Sequence, residues 1–157
     1  MTPAIDMAKK HQIIFDIHEY QHDAHSESYG LEAAQKLGVP AKLVFKTLVV
    51  SLDNHSLVVA VVPVSSMLSM KLIAKAAGAK KALMAAAAAV ERSSGYVLGG
   101  VSPLGQKKRL VTFIDASAQP LERMYVSAGK RGVDISLSPT DLQRLLGAQF
   151  VDICAQG

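Results

Sequence analysis

The residues with the clearest capacity for chemistry lie in one run, Gly95-Tyr96-Val97-Leu98-Gly99-Gly100-Val101-Ser102-Pro103-Leu104-Gly105, closed by Gln106-Lys107-Lys108-Arg109. Glycine has no Cβ, so the main chain there can approach a ligand closely and present its N–H groups. Such a loop can hold a carbonyl oxygen or a phosphate, and the adjacent cations favour an anionic partner. A second run, Ser127-Ala128-Gly129-Lys130-Arg131-Gly132, is followed by Val133-Asp134. It is not a Walker loop, because the lysine lacks the Ser/Thr that should follow it and a strand follows instead of a helix. It reads as a tight turn displaying Lys130 and Arg131, or as a pocket wall in which Ser127 and Asp134 offer hydrogen bonds. Lys107, Lys108, Arg109, Lys130 and Arg131 are candidates for contact with a nucleic-acid backbone.

Lys46 stands at the mouth of an apolar strand in Phe45-Lys46-Thr47-Leu48-Val49-Val50. An ammonium there can bind a carboxylate or carbonyl, or act with a lowered pKa, whereas a plain strand-edge lysine points to water. His18, His22 and His25 cluster beside Glu19 and Asp23, but without a cysteine partner or a helix to fix the imidazoles they read as a solvated loop rather than a metal site. No Gly-x-Ser-x-Gly elbow occurs, and Ser102 before Pro103 reads as a turn residue. Cys154, the single cysteine, reads as an inert small apolar side chain near the C-terminus.

These residues need a scaffold. Thr2-Pro3 opens a short helix toward His11. Ile13 to Tyr20 alternates like a strand, Gln21 to Ser28 reads as a polar loop, and Leu31 to Leu37 is a helix capped by Gly38. Lys46 to Leu52 and Leu57 to Val64 form a hairpin around Asp53-Asn54-His55-Ser56. Leu68, Leu72, Ile73 and Ala76 recur at helical spacing, and the alanine run Ala85 to Ala89 continues as helix through Arg92. Strands are expected at Arg109 to Ile114, Glu122 to Ser127 and Val133 to Leu137. A helix starts at Ser138-Pro139-Thr140-Asp141 and ends at Gly147, and Phe150 to Ile153 adds a last short strand.

The 157 residues, half of them hydrophobic and 19% charged, fit one globular domain spanning residues 1–157. Aromatics are only 5% and tryptophan is absent, so the core is aliphatic. A net charge of +4 suits an anionic partner such as RNA without demanding one. The lone cysteine points to a reducing cytoplasm, and neither a signal-peptide core nor a membrane span is present. The expected class is α/β: one domain with a mixed, barrel-like β-sheet surrounded by short helices.

Taken together, Phe45-Lys46-Thr47, the Gly95–Arg109 run and Ser127–Gly132 resemble the YbaK family, whose members are free-standing Cys-tRNA(Pro) deacylases related to the editing domain of bacterial prolyl-tRNA synthetases. The opening Met1-Thr2-Pro3-Ala4 is also similar. The resemblance implies the barrel-like α/β domain, no required metal or other cofactor, and Lys46 as the catalytically essential side chain. It implies that Tyr20, Phe45, Thr47, Gly99, Gly100, Ser127 and Asp134 shape a pocket for the terminal adenosine and the cysteinyl group. Tyr29 stands in this pocket where the family often has phenylalanine. Leu31 replaces a common acidic residue, and Ala128 a usual glycine.

The implied mechanism needs no catalytic triad, because an aminoacyl ester is already activated. The substrate's own thiol attacks the ester carbonyl, Lys46 orients it, and N–H groups near Gly99 and Gly100 hold the oxyanion. The expected partner is the aminoacylated acceptor end of tRNA, with prolyl-tRNA synthetase supplying tRNA choice to a monomeric protein. Two alternatives remain open: an Ala-tRNA(Pro) deacylase, and a non-catalytic module binding aminoacyl-tRNA or a synthetase.

Overall fold

The computed structural model describes residues 1–26 and 28–156. Glu27, inside the expected Gln21–Ser28 loop, and Gly157, the end of the expected domain, lie outside them. Helix α1 (Pro3–Lys10) begins as its sequence predicts: Thr2 Oγ1 accepts the Ile5 N–H at 3.2 Å, and Pro3 occupies the first turn. Strand β1 (Phe15–Glu19) and helix α2 (Tyr29–Leu37) follow, then the hairpin of β2 (Phe45–Leu52) and β3 (Leu57–Pro63). Helix α3 (Met70–Ala76), strand β4 (Ala82–Met84) and helix α4 (Ala87–Ser94) lead to the long glycine-rich loop. Strands β5 (Val111–Asp115), β6 (Met124–Lys130) and β7 (Val133–Leu137), helix α5 (Pro139–Leu146) and strand β8 (Gln149–Val151) complete the order.

The α/β class stands, but the strands divide between two sheets instead of curling into one. The larger is mixed, in the order β4-β2-β3-β5-β8, with β3 parallel to β5 and β5 parallel to β8. The smaller, β1-β7-β6, is antiparallel throughout. A parallel bridge between Val44 and Tyr125 joins the sheets where β2 begins. Beyond it, β2 and β6 line opposite parts of one cavity, so the gap that a barrel would close is a pocket.

Strand β3 explains the layering. Its residues Val58 to Pro63 are all buried, as expected of a strand covered on both faces. Val59 and Val61 pack with Ile114 against Met124, Val126, Ile135 and Leu137 of the smaller sheet. Val58, Ala60 and Val62 pack with Phe113 against Ile73 of α3 and Ile153. Helix α2 belongs to neither layer; its Ala33 and Ala34 join Val44 and Val64 in a small satellite cluster, with Tyr20, Val39, Ala41 and Tyr125 packed against it.

Several boundaries move from expectation for local reasons. Ser69 caps α3, its hydroxyl accepting the Leu72 N–H at 3.1 Å, while Leu68 lies outside the helix and bridges to Cys154. Ala85 donates its N–H to Val49, extending the β4 edge and delaying α4 to Ala87. Strand β6 runs on to Lys130 through a bulge after Ser127. No helix among the described residues is long and apolar enough to cross a membrane.

Candidate functional site

A pocket of about 450 Å³ opens between the two sheets, a size typical of small-molecule sites. Its walls come from β2 (Phe45, Lys46, Thr47), from Tyr20, from Tyr29 on α2, from Leu98 and Gly99, and from Ser127, Lys130, Arg131 and Asp134. Every residue expected to shape the pocket borders it except Gly100.

Asp134 gives the site its electrostatic character. The β6–β7 register sets it opposite Ser127, and the β1–β7 register sets it opposite His18, so all three share one sheet face. Asp134 is only 5% exposed, and burial alone pushes its carboxyl up to about 7. Among the described residues no ion pair reaches it. The Tyr20 phenol is raised above its usual value, first by burial and then by the carboxylate of Asp134, so the two groups are electrostatic neighbours. Tyr20 is placed by its own N–H, which donates to the Gly132 carbonyl at 2.9 Å.

Across the pocket, Phe45 anchors the start of β2 in the core at 3% exposure, and Lys46 beside it is half-buried. Thr47 Oγ1 is buried without a hydrogen-bond partner among the described residues. An orphaned buried hydroxyl costs about 1–3 kcal/mol, a cost that a ligand's polar atom would relieve. Cys154 does not border the pocket. Its thiol is pushed up to about 12, first by burial and then by Asp115, although the charge of Lys46 acts in the other direction. A thiol held protonated in this way is no nucleophile.

The two glycine runs meet. A Cβ on Gly100 would lie 2.6 Å from Lys130 Cα and 2.9 Å from Arg131 N, so backbone packs on backbone there. Gly99, at φ +94°, puts its backbone where a Cβ would stand 3.0 Å from Cε2 of Tyr29. The N–H of Gly100 is already donated to the Val97 carbonyl at 3.0 Å. Of the two glycines, Gly99 alone borders the cavity.

Sequence reasoning passed over two residues of this loop system. Tyr96 is buried, and its hydroxyl donates to the Leu104 carbonyl at 2.6 Å, closing the glycine-rich loop on itself. Burial pushes that phenol up to about 12, so it stays a neutral donor. Glu32, buried on α2, faces Arg131 at 3.5 Å. The candidate phosphate contacts separate. Lys130 is exposed at the pocket rim, and Arg131 is bound into the fold. Lys107, Lys108 and Arg109 are exposed, and Lys108 and Arg109 border a different, smaller cleft with Met7, Leu145 and Leu146. His18 donates to or accepts from Ser136 Oγ at 2.8 Å, while His22 and His25 are exposed in the loop beyond β1.

Residues 25–145, which carry nearly all of this pocket, match the aminoacyl-tRNA editing domain. The chain belongs to that family. Editing is hydrolysis of the ester between an amino acid and its tRNA, so this family member is a hydrolase acting on aminoacyl-tRNA. Over 154 residues it is 37% identical to the Enterococcus faecalis protein EbsC, which carries the name of a Cys-tRNA(Pro)/Cys-tRNA(Cys) deacylase; the match covers 97% of this chain and 92% of that one. Its fold is shared with a crystal structure described as a trans-editing enzyme for prolyl-tRNA synthetase, at TM-score 0.81 and 20% identity, covering 100% of this chain and 99% of the other. A protein described only as hypothetical superimposes at TM-score 0.87 with 24% identity, covering 98% of this chain and 100% of that one. The resemblance to the YbaK family read from the sequence is therefore correct.

Proposed function

We propose that this editing domain is a free-standing deacylase of mischarged Cys-tRNA(Pro). The observation that carries the reading is the composition of the pocket: a lysine, an orphaned hydroxyl and a carboxyl without an ion pair border it, yet among the described residues no histidine or cysteine does. A site without an activated nucleophile suits an ester that brings its own, and a cysteinyl ester carries a thiol one carbon from its α-carbon.

In this reading Asp134 holds the α-ammonium of the aminoacyl group, the cation that its buried carboxyl lacks. Thr47 Oγ1 gains the polar partner it is missing, and Tyr20 closes the pocket beside Asp134. The Lys46 ammonium holds the ester carbonyl oxygen and stabilises the charge that grows there. The Gly99 backbone supplies the adjoining wall, and since the Gly100 N–H is spent on Val97, Lys46 carries most of the oxyanion stabilisation. The substrate thiol attacks the carbonyl carbon, the new C–S bond displaces the ribose oxygen, and the thiol proton leaves with that oxygen. Water then opens the resulting thiolactone to free cysteine.

The chain acts on the acceptor end as a monomer in the cytoplasm, and prolyl-tRNA synthetase supplies the tRNA identity. In a deacylation assay with charged tRNAs, wild-type protein releases cysteine from Cys-tRNA(Pro), and a folded Lys46→Ala variant does not. Retained activity in that variant would remove Lys46 from the mechanism. Protection of the ester by the wild type would show a binding module instead.

A further inference from the structure

Arg131 is tied into the fold by more contacts than a phosphate-binding cation would be. Its guanidinium carbon lies 4.2 Å from the ring centroid of Tyr29. Its Nη2 donates to the carbonyls of Asp23 and Ser26, the latter at 3.3 Å, and stands 3.5 Å from Glu32 Oε1. Only 19% of the Arg131 side chain and 4% of the Glu32 side chain are exposed. Glu32 in turn accepts the Asp23 N–H on its other oxygen at 2.7 Å. The pair therefore links the β6–β7 turn, the loop after Tyr20 and helix α2.

Helix α2 needs such a link. Its buried residues are Glu32, Ala33 and Ala34, so it has little apolar area with which to fix its angle. Yet α2 carries Tyr29, whose ring lies 3.0 Å from where a Cβ on Gly99 would stand, at the pocket edge. A buried ion pair seldom adds net stability over an apolar replacement, but it fixes one geometry.

Building on the deacylase reading, we propose that Arg131 is a positioning residue: pinned by buried Glu32, it holds Tyr29 and α2 as the wall against which the aminoacyl end is seated. It does not meet the tRNA backbone. Its Nη2 is spent on the fold and its charge is paired with Glu32, unlike exposed Lys130 at the rim.

Glu32→Gln separates this role from a phosphate contact, because it unpins Arg131 while leaving the cation in place. Arg131→Met, Glu32→Gln and the double variant are compared in two measurements. The first is single-turnover deacylation of Cys-tRNA(Pro) and of a short cysteinyl-adenosine ester. The expected result is a half-saturating concentration raised roughly tenfold in each single variant, on both substrates, with the saturated rate little changed and the double variant no worse than either single. The second is amide hydrogen exchange in the free protein, where residues 29–37 should exchange faster in both single variants while the strands of both sheets stay protected.

A Glu32→Gln protein that behaves like wild type would overturn the proposal, as would unchanged exchange in α2. So would an Arg131→Met loss confined to full-length tRNA and accompanied by a salt slope smaller by about one, the mark of a lost phosphate contact. Should Arg131→Met fail to fold, Glu32→Gln decides alone. If the wild type cleaves no cysteinyl ester, the deacylase reading falls, and the exchange measurement still judges the latch.

Discussion

Asp134 titrates near neutrality because water is withheld from it, and this has consequences for both stability and activity. Between the ordinary carboxylate range near 4 and its raised value of about 7, the folded protein binds a proton that the unfolded chain has released. Stability contributed by this group is thus present at low pH and lost as pH rises through that window. Urea titrations at pH 4 and pH 8 should show Asp134→Asn equal to wild type at the lower pH and more stable at the higher, by on the order of 3 kcal/mol. The same variant should bind the cysteinyl ester roughly ten- to a hundredfold more weakly, having lost a charged partner for the α-ammonium. Thr47→Val makes a similar trade. It removes the orphaned hydroxyl, so thermal unfolding should show unchanged or slightly raised stability, by up to about 1 kcal/mol, while kcat/KM falls.

The elements matter through how closely their backbones approach. Gly100 rests on the Lys130–Arg131 backbone, which cannot rotate away as a side-chain tip can. Gly100→Ala should therefore cost about 1–3 kcal/mol in thermal unfolding and weaken substrate binding by shifting the Gly99 wall. The sequence made this contact partly legible. Two glycine runs beside cationic residues marked both sides of the pocket, and Lys46 at a strand mouth marked the third. The β2–β3 hairpin, the capped ends of α1 and α5, and the positions of β6 and β7 follow from local signals: turn residues, Thr2 and Ser138 caps, and alternation. Strand β4 was not legible, because three residues are too few for a period and it exists only by pairing with β2. The division into two sheets depends on where β2 and β6 part after the Val44–Tyr125 bridge, a long-range event without a local pattern. The Arg131–Glu32 pair was hidden for the same reason: in sequence, one is a turn cation and the other a helix-surface acid.

At the scale of the whole molecule, the net charge of +4 is unevenly useful. Lys130 lies at the pocket rim, whereas Lys107, Lys108 and Arg109 are exposed outside the pocket lining, Lys108 and Arg109 beside another cleft. Replacing those three with alanine should weaken full-length tRNA in proportion to the phosphates lost, flattening the salt dependence by roughly 0.7–0.9 per contact. A short cysteinyl-adenosine ester should be unaffected. Binding measured across a salt series with both ligands checks this. The central claim is that the pocket cleaves an ester whose acyl group supplies the nucleophile. Single-turnover deacylation of Cys-tRNA(Pro) beside Ala-tRNA(Pro), with the same protein, tests it most directly. The account predicts rapid loss of cysteine and an intact alanyl ester; cleavage of the alanyl ester with the cysteinyl ester spared would contradict it.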